Sequence, residues 1–368
     1  MPKRQSNMEL LRIVSMYLII VFHAAFHSGF LLYPPPTYLT YNILTVRIFW
    51  FFGEWGVNLF VLISGYFQVN GHFKWKKLFL LLAQVLFYSL LGNLAAFYTG
   101  AVQFSGFAVV LKRSAFPIIR SQYWFATAYV IIYLLSPYMN LLIKSMDEKT
   151  FRRLLFTLLS LYCVIPTFWG LIIGNTESSL YYSRLIWFFI IYFIGAYIRL
   201  YPLPSRFMKY PLLCALGTFA FMVSSIFVIY ALNRALGSTQ EIAYFWPPNT
   251  IPMLILSVST FYAFLQLNIP YVSWINCVAS TTFGIYLFHD GILRQWIWKT
   301  LCRFTERVDS PVLIPQILAV CAGIFFVGMT IDFARQAIER VTLKKWLSSE
   351  HFLRFETRFD VNPTKRKL

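Results

Sequence analysis

Charge is what this sequence has least of. Only 12% of its 368 residues are Asp, Glu, Lys or Arg, about half of what a soluble domain needs to cover its surface. Acidic residues are scarcer still, 14 against 32 Lys and Arg. The five cysteines, Cys163, Cys214, Cys277, Cys302 and Cys321, are scattered with no CxxC pair, so neither a disulfide framework nor a thiolate metal site is expected. No period of about 20 to 50 residues recurs, which excludes a solenoid. No low-complexity linker divides the chain either.

What remains is apolar: 58% hydrophobic residues and 20% aromatic. This composition predicts an all-α integral membrane protein. About ten stretches approach the roughly 20 residues that cross a bilayer as a helix: 9–29, 47–69, 78–99, 122–143, 154–174, 182–200, 211–232, 249–267, 281–300 and 311–333. They read as one bundle over 1–335, followed by a basic tail, 336–368. The net charge of +18 does not indicate nucleic acid, because Lys and Arg fall in short segments between the apolar runs.

Those segments set an orientation. Lys3, Arg4, Lys74, Lys76, Lys77, Lys144, Lys149, Arg152, Arg153, Arg199, Arg206, Lys209 and the tail lie on the side of the termini. Arg47, Lys112, Arg113, Arg120, Arg184, Arg234, Lys299, Arg303 and Arg307 lie opposite and are fewer. The positive-inside rule then predicts a multi-pass cell-membrane protein with both termini cytoplasmic. Glu9, Arg12, His23 and His27 crowd the first apolar run, so it is expected to be an uncleaved helix, not a signal peptide. In the tail, Lys344, Lys345 and Trp346 precede Phe352, Phe355 and Phe359 at helical spacing. That pattern suits a topology anchor seated among the lipids of the inner leaflet.

Two ionisable residues, Arg12 and His23, lie within the first span. Eleven residues at 3.6 per turn return them to nearly one face, about 16 Å apart along the axis. Charge inside hydrocarbon is costly without a partner or cavity, which marks a functional site. Arginine offers a permanently charged, planar fork suited to phosphate, and histidine suits proton transfer near neutrality. The plain structural alternative has Arg12 pairing with Glu9 at i−3 and His23 bonding to another helix. In the second span Glu54 and Asn58, at i, i+4, share a face, whereas Ser64 lies about 80° off it. These three and Trp124 are candidate substrate contacts, with helix-helix hydrogen bonds or interfacial anchoring as their structural alternatives. Asp290 and Arg294, at i, i+4, read as an ion pair. His23 and His27 have metal-ligand spacing, but no acidic or Cys partner lies near them in sequence, so no metal site is expected.

The run Asn7-Met-Glu-Leu-Leu-Arg12, with His23 eleven residues beyond Arg12, resembles the opening signature of the membrane-bound acyltransferase-3 family. Gly56-Val-Asn-Leu-Phe-Val-Leu-Ile-Ser64-Gly65-Tyr66 is similar to its second-span motif. Tyr123-Trp124-Phe125, Phe193-Ile-Gly195 and Phe283-Gly-Ile-Tyr-Leu-Phe-His289 follow in family order, so the resemblance spans about 7–335. It implies about ten helices and transfer of an acyl group, commonly acetyl, from cytoplasmic acyl-CoA to a hydroxyl of a cell-surface or lipid-linked glycan. By resemblance Arg12 engages the donor, His23 is the catalytic histidine and His289 is a second candidate. Some members carry a fused hydrolase-like domain; here only a short tail follows, so transfer is expected to be completed by the membrane domain or a separate partner. No bound cofactor is implied, since acyl-CoA enters as a substrate. A transporter or flippase for an anionic or glycan substrate is the alternative. It would also set polar groups at mid-membrane, but the paired broken repeats common in transporters are not found.

Overall fold

The computed structural model describes residues 5–30, 39–120, 122–173, 183–201, 209–238 and 240–361, with side chains of 170–173 excluded. Lys3, Arg4, Arg206 and the tail beyond 361, all used in the charge comparison, lie outside these residues. The described residues are helical and contain no strand. In chain order the helices are α1 (Ser6–His27), α2 (Tyr41–Gln68), α3 (Trp75–Thr99), α4 (Phe107–Ala115), α5 (Trp124–Ser145), α6 (Glu148–Leu159) and α7 (Ile165–Ile173). They continue with α8 (Arg184–Leu200), α9 (Pro211–Leu236), α10 (Ile251–Gln266), α11 (Ser273–Ala279), α12 (Thr282–His289), α13 (Leu313–Val341), α14 (Leu343–Trp346) and α15 (Glu350–Arg358).

Among the described residues seven helices are long and apolar enough to cross a membrane: Ser6–His27, Tyr41–Gln68, Trp75–Tyr98, Trp124–Ser145, Glu148–Trp169, Pro211–Leu236 and Leu313–Trp346. The fifth joins α6 to α7 through a π-helical turn, Ser160–Val164. The expected count of about ten is not confirmed. α8 has only 17 residues and α10 only 16. The expected ninth span, 281–300, is broken: α12 stops at His289, and regular winding resumes only in the π-helical turn Trp296–Leu301. The break falls where Asp290 turns aside to meet Arg294 at 3.1 Å. Buried Asp290 is thereby paired, as a buried carboxylate must be.

Helix starts follow local chemistry. The Thr40 hydroxyl accepts from the Ile43 N–H at α2, and the Asp147 carboxylate accepts from the Thr150 N–H at 2.8 Å at α6. Each satisfies an amide that the first turn leaves open. Hydrogen bonds from Thr150 also hold the Asp147 carboxyl below its ordinary range. α3 and α9 end on Gly100 and Gly237, at φ 67° and 65°, a left-handed geometry that costs glycine nothing.

α2 forms the centre, with 78% of its apolar window buried, whereas α13 buries only 22%. α1 and α8 flank α2, and α3, α9 and α13 turn outward faces bearing Leu91, Leu213, Phe221 and Phe326. The α2–α8 contact depends on two glycines. A Cβ on Gly65 would strike the Tyr192 backbone carbonyl, and one on Gly195 would strike the Leu62 carbonyl. The two backbones therefore approach as closely as small-residue membrane interfaces permit.

One end of the bundle holds the starts of α1 and α3, the ends of α2, α5 and α13, and α15. α13 runs through residue 335 to Val341. The aromatic face of α15 meets the chain itself: Phe352 and Phe355 pack edge-on against Phe79, Phe355 also meets Trp75, and the Trp75 indole N–H donates to the Phe359 carbonyl at 2.7 Å. Nearby, buried Asp332 accepts from Gln84, Tyr88 and Gln336 and forms an ion pair with Arg335 at 2.7 Å. Arg335 also pairs with Glu339.

Candidate active site

Near the opposite end of α1, His23 is buried at 6% exposure. Its Nδ1 lies 2.9 Å from His289 Nε2, and His289 Nδ1 lies 2.6 Å from the Ile285 carbonyl. A carbonyl only accepts, so His289 carries its proton on Nδ1. Neutral His289 then presents a lone pair at Nε2, and His23 donates to it from Nδ1. His23 Nε2 is left as the basic nitrogen by hydrogen-bond logic alone. The second histidine fixes both the tautomer and the ring orientation of the first.

A cavity of about 180 Å³ opens beside His23. It is lined by groups from distant parts of the chain: Glu54 from α2, Trp124 from the start of α5, Arg184 from the start of α8, and Asp290 and Arg294 after α12. Glu54 is 3% exposed, and its Oε1 lies 3.8 Å from Arg184. Its Oε2 is buried with no hydrogen-bond partner. The Arg184 guanidinium lies 4.1 Å from the centre of the Trp124 ring, a cation–π stack that holds both in place.

His23, His27 and Asp290 place one ligating atom each within 4.8 Å of the others. The acidic partner missing nearby in sequence is therefore supplied by the fold. Arg294, however, holds Asp290 Oδ1 at 3.1 Å, and Arg184 and Arg294 line the same cavity. Two guanidiniums disfavour a cation there, and no metal is assigned.

Arg12 is elsewhere. Its Nη1 pairs with Glu9 Oε1 at 2.6 Å, the i−3 pair anticipated as the structural alternative. Arg12 also lines a cavity of about 250 Å³ with Ser64, Gln84, Phe125 and Tyr129. This cavity adjoins a larger one of about 420 Å³ bearing Lys77, Arg335, Lys344 and Glu339, the last paired with both Arg335 and Lys344, and Leu81, Gln84, Tyr129 and Ser280 are common to both cavities. No residue lines both the Arg12 and the His23 cavities. Between them the Phe60 and Phe125 rings meet edge to face.

The expected site residues therefore separate into three groups. His23, His289, Glu54 and Trp124 converge. Ser64 accompanies Arg12, with its hydroxyl donating to the Phe60 carbonyl. Asn58, expected as a substrate contact, does not line the His23 cavity: its amide donates to the Pro248 carbonyl and Ser257, and its oxygen accepts from the Trp187 indole at 2.9 Å. It pins α2 to α8 and α10. Sequence reasoning missed Arg184, counted only as a loop charge, and the position of Asp290 and Arg294 at the cavity. Their one sequence signal was the cost of placing charge beside apolar runs.

A family model described as an acyltransferase domain, of the acyltransferase-3 type, matches residues 5–333. No curated protein and no solved structure matches the chain.

Proposed function

Because the chain belongs to the acyltransferase-3 family and is a multi-pass membrane protein, we propose that it moves an acyl group, acetyl in the first instance, from acyl-CoA to a hydroxyl of a cell-surface or lipid-linked glycan. One observation carries this reading: the Ile285–His289–His23 chain leaves His23 Nε2 as a base beside a cavity where a buried Glu54 oxygen lacks a partner.

The acceptor hydroxyl gives its proton to His23 Nε2 as its oxygen attacks the thioester carbonyl. The C–S bond then breaks, and the imidazolium returns the proton to the departing coenzyme A thiolate. Such general-base assistance contributes about 10²- to 10⁴-fold. Arg184 and Arg294 give the positive field that stabilises the oxyanion, and Glu54 Oε2 accepts from a second acceptor hydroxyl. His289 is a positioning residue that acts through His23. At the other end Arg12, with the Lys77, Arg335 and Lys344 cavity beyond it, suits the donor phosphates. That end is cytoplasmic in this reading, as are both termini.

The test uses purified protein in nanodiscs with radiolabelled acetyl-CoA and candidate glycans. Wild type is expected to label a glycan and release coenzyme A, and His23→Ala to insert normally but transfer nothing. Glycan movement across vesicles without coenzyme A release would instead identify a transporter.

A further inference from the structure

A second polar cavity, of about 290 Å³, lies beside the His23 chamber and shares Arg294 with it. It sits at the end of the bundle opposite α15, between upper α3, the α4–α5 connection and the segment after α12. Arg113, Arg120 and Arg294 line it together with Asn93, Gln122 and Gln295, and no carboxylate is among its lining residues. Arg294 spends one nitrogen on Asp290. Among the described residues, no acidic group pairs with Arg113 or Arg120. Arg120 is exposed, Arg113 is half-buried with its guanidinium 5.1 Å from the centre of the Phe104 ring, and with Arg294 they give the hollow a positive field that favours an anion.

The buried polar atoms make the same point independently. Asn93 is fully buried, and its amide nitrogen donates to the Ser89 carbonyl, yet Oδ1 has no partner. Gln122 Oε1 accepts from the Ser89 hydroxyl, which ties the connection before α5 to α3. The buried Arg294 Nε is also without a partner. Buried polar groups are normally satisfied. One unused donor, one unused acceptor and three cations match a ligand that carries both an oxyanion and a hydroxyl.

We infer that this cavity is an oxyanion subsite that holds a phosphate or carboxylate of the hydroxyl-bearing acceptor, with Arg113 and Arg120 as its main charge contacts. The inference rests on the acceptor reading above and narrows it to negatively charged saccharides. The subsite holds the charged group while a neighbouring hydroxyl reaches past Arg294 toward His23.

The test is binding, not turnover. Full-length protein in phosphatidylcholine nanodiscs is titrated with glucose 6-phosphate, glucuronic acid and neutral methyl glucoside, followed by saturation-transfer NMR. The anionic sugars are expected to bind more tightly than the neutral one. Arg113→Gln with Arg120→Gln should weaken them about tenfold, as expected for lost charge-assisted hydrogen bonds, and leave the glucoside unchanged. The doubly Lys-substituted protein should retain most of the preference. Equal binding of charged and neutral probes, or no change in the Gln variant, overturns the subsite. Complete displacement of the probes by phosphatidylglycerol added to the nanodiscs assigns the cavity to a lipid headgroup and overturns the acceptor assignment. Intact anion selectivity in a protein that transfers no acyl group supports the subsite and counts against the enzyme reading alone.

Discussion

His289 Nε2 lies 2.9 Å from His23 Nδ1, joining side chains 266 positions apart in the sequence. The contact gives the first-span histidine a fixed tautomer before any substrate arrives. His289→Ala should therefore lower kcat by about 10- to 100-fold, part of the gain that general-base catalysis supplies, with donor KM unchanged. His289→Gln, whose amide oxygen can accept from His23, should recover part of the rate. Equal rates in wild type and His289→Ala would remove the positioning role.

In the proposed reading the unpartnered Glu54 Oε2 accepts from an acceptor hydroxyl. Glu54→Gln should raise acceptor KM about tenfold, the scale of a lost hydrogen bond to a charged group, and leave the KM for acyl-CoA unaltered. Steady-state titration of both substrates separates the two effects. A rise confined to donor KM would contradict the assignment.

Arg12 and the adjoining cavity that bears Lys77 lie at the other end of α1. Arg12→Ala should raise KM for acyl-CoA about tenfold through loss of charge-assisted contacts to phosphate, and saturating donor should restore the rate. A fall in kcat that no donor concentration repairs would place Arg12 outside donor binding.

Gly65 meets the Tyr192 backbone, whereas a Cβ on Gly217 would meet nothing within 4 Å. Gly65→Ala should cost about 1–3 kcal/mol of stability by overpacking, read as a lower unfolding temperature in detergent, and Gly217→Ala should be nearly neutral. Matching unfolding curves for the two variants would refute the close-approach account of α2 and α8.

Asn58 separates packing from binding. Asn58→Ala leaves the buried Trp187 indole N–H without its acceptor, a loss of about 1–3 kcal/mol, and acceptor KM should not change. A raised acceptor KM at full stability would return Asn58 to the substrate.

The sequence was most legible where one physical constraint acted alone. Long apolar runs located α1, α2, α3, α5, α9 and α13, because hydrocarbon leaves a backbone little choice but helix. Periodicity correctly put Glu54 and Asn58 on one face of α2, but a face can meet both a cavity and a neighbouring helix. Asn58 met the helix. The expected ninth span reads as continuous because hydropathy averages over Asp290 and Arg294, and that average does not mark the turn at 290–293. Arg184 was hidden for a related reason: a cation at a helix start reads as topology until a carboxylate such as Glu54 is folded against it.

Arg12 and His23 line different cavities with no lining residue in common. If, as proposed, the first takes the donor and the second the acceptor, donor preference and acceptor preference can diverge independently over evolutionary time. In the proposed reading a descendant can redraw 113–122 and 290–295 to accept a new glycan while inheriting its coenzyme A end intact, with α1, α2 and α5, which line both cavities, as the elements that both lineages of change must preserve.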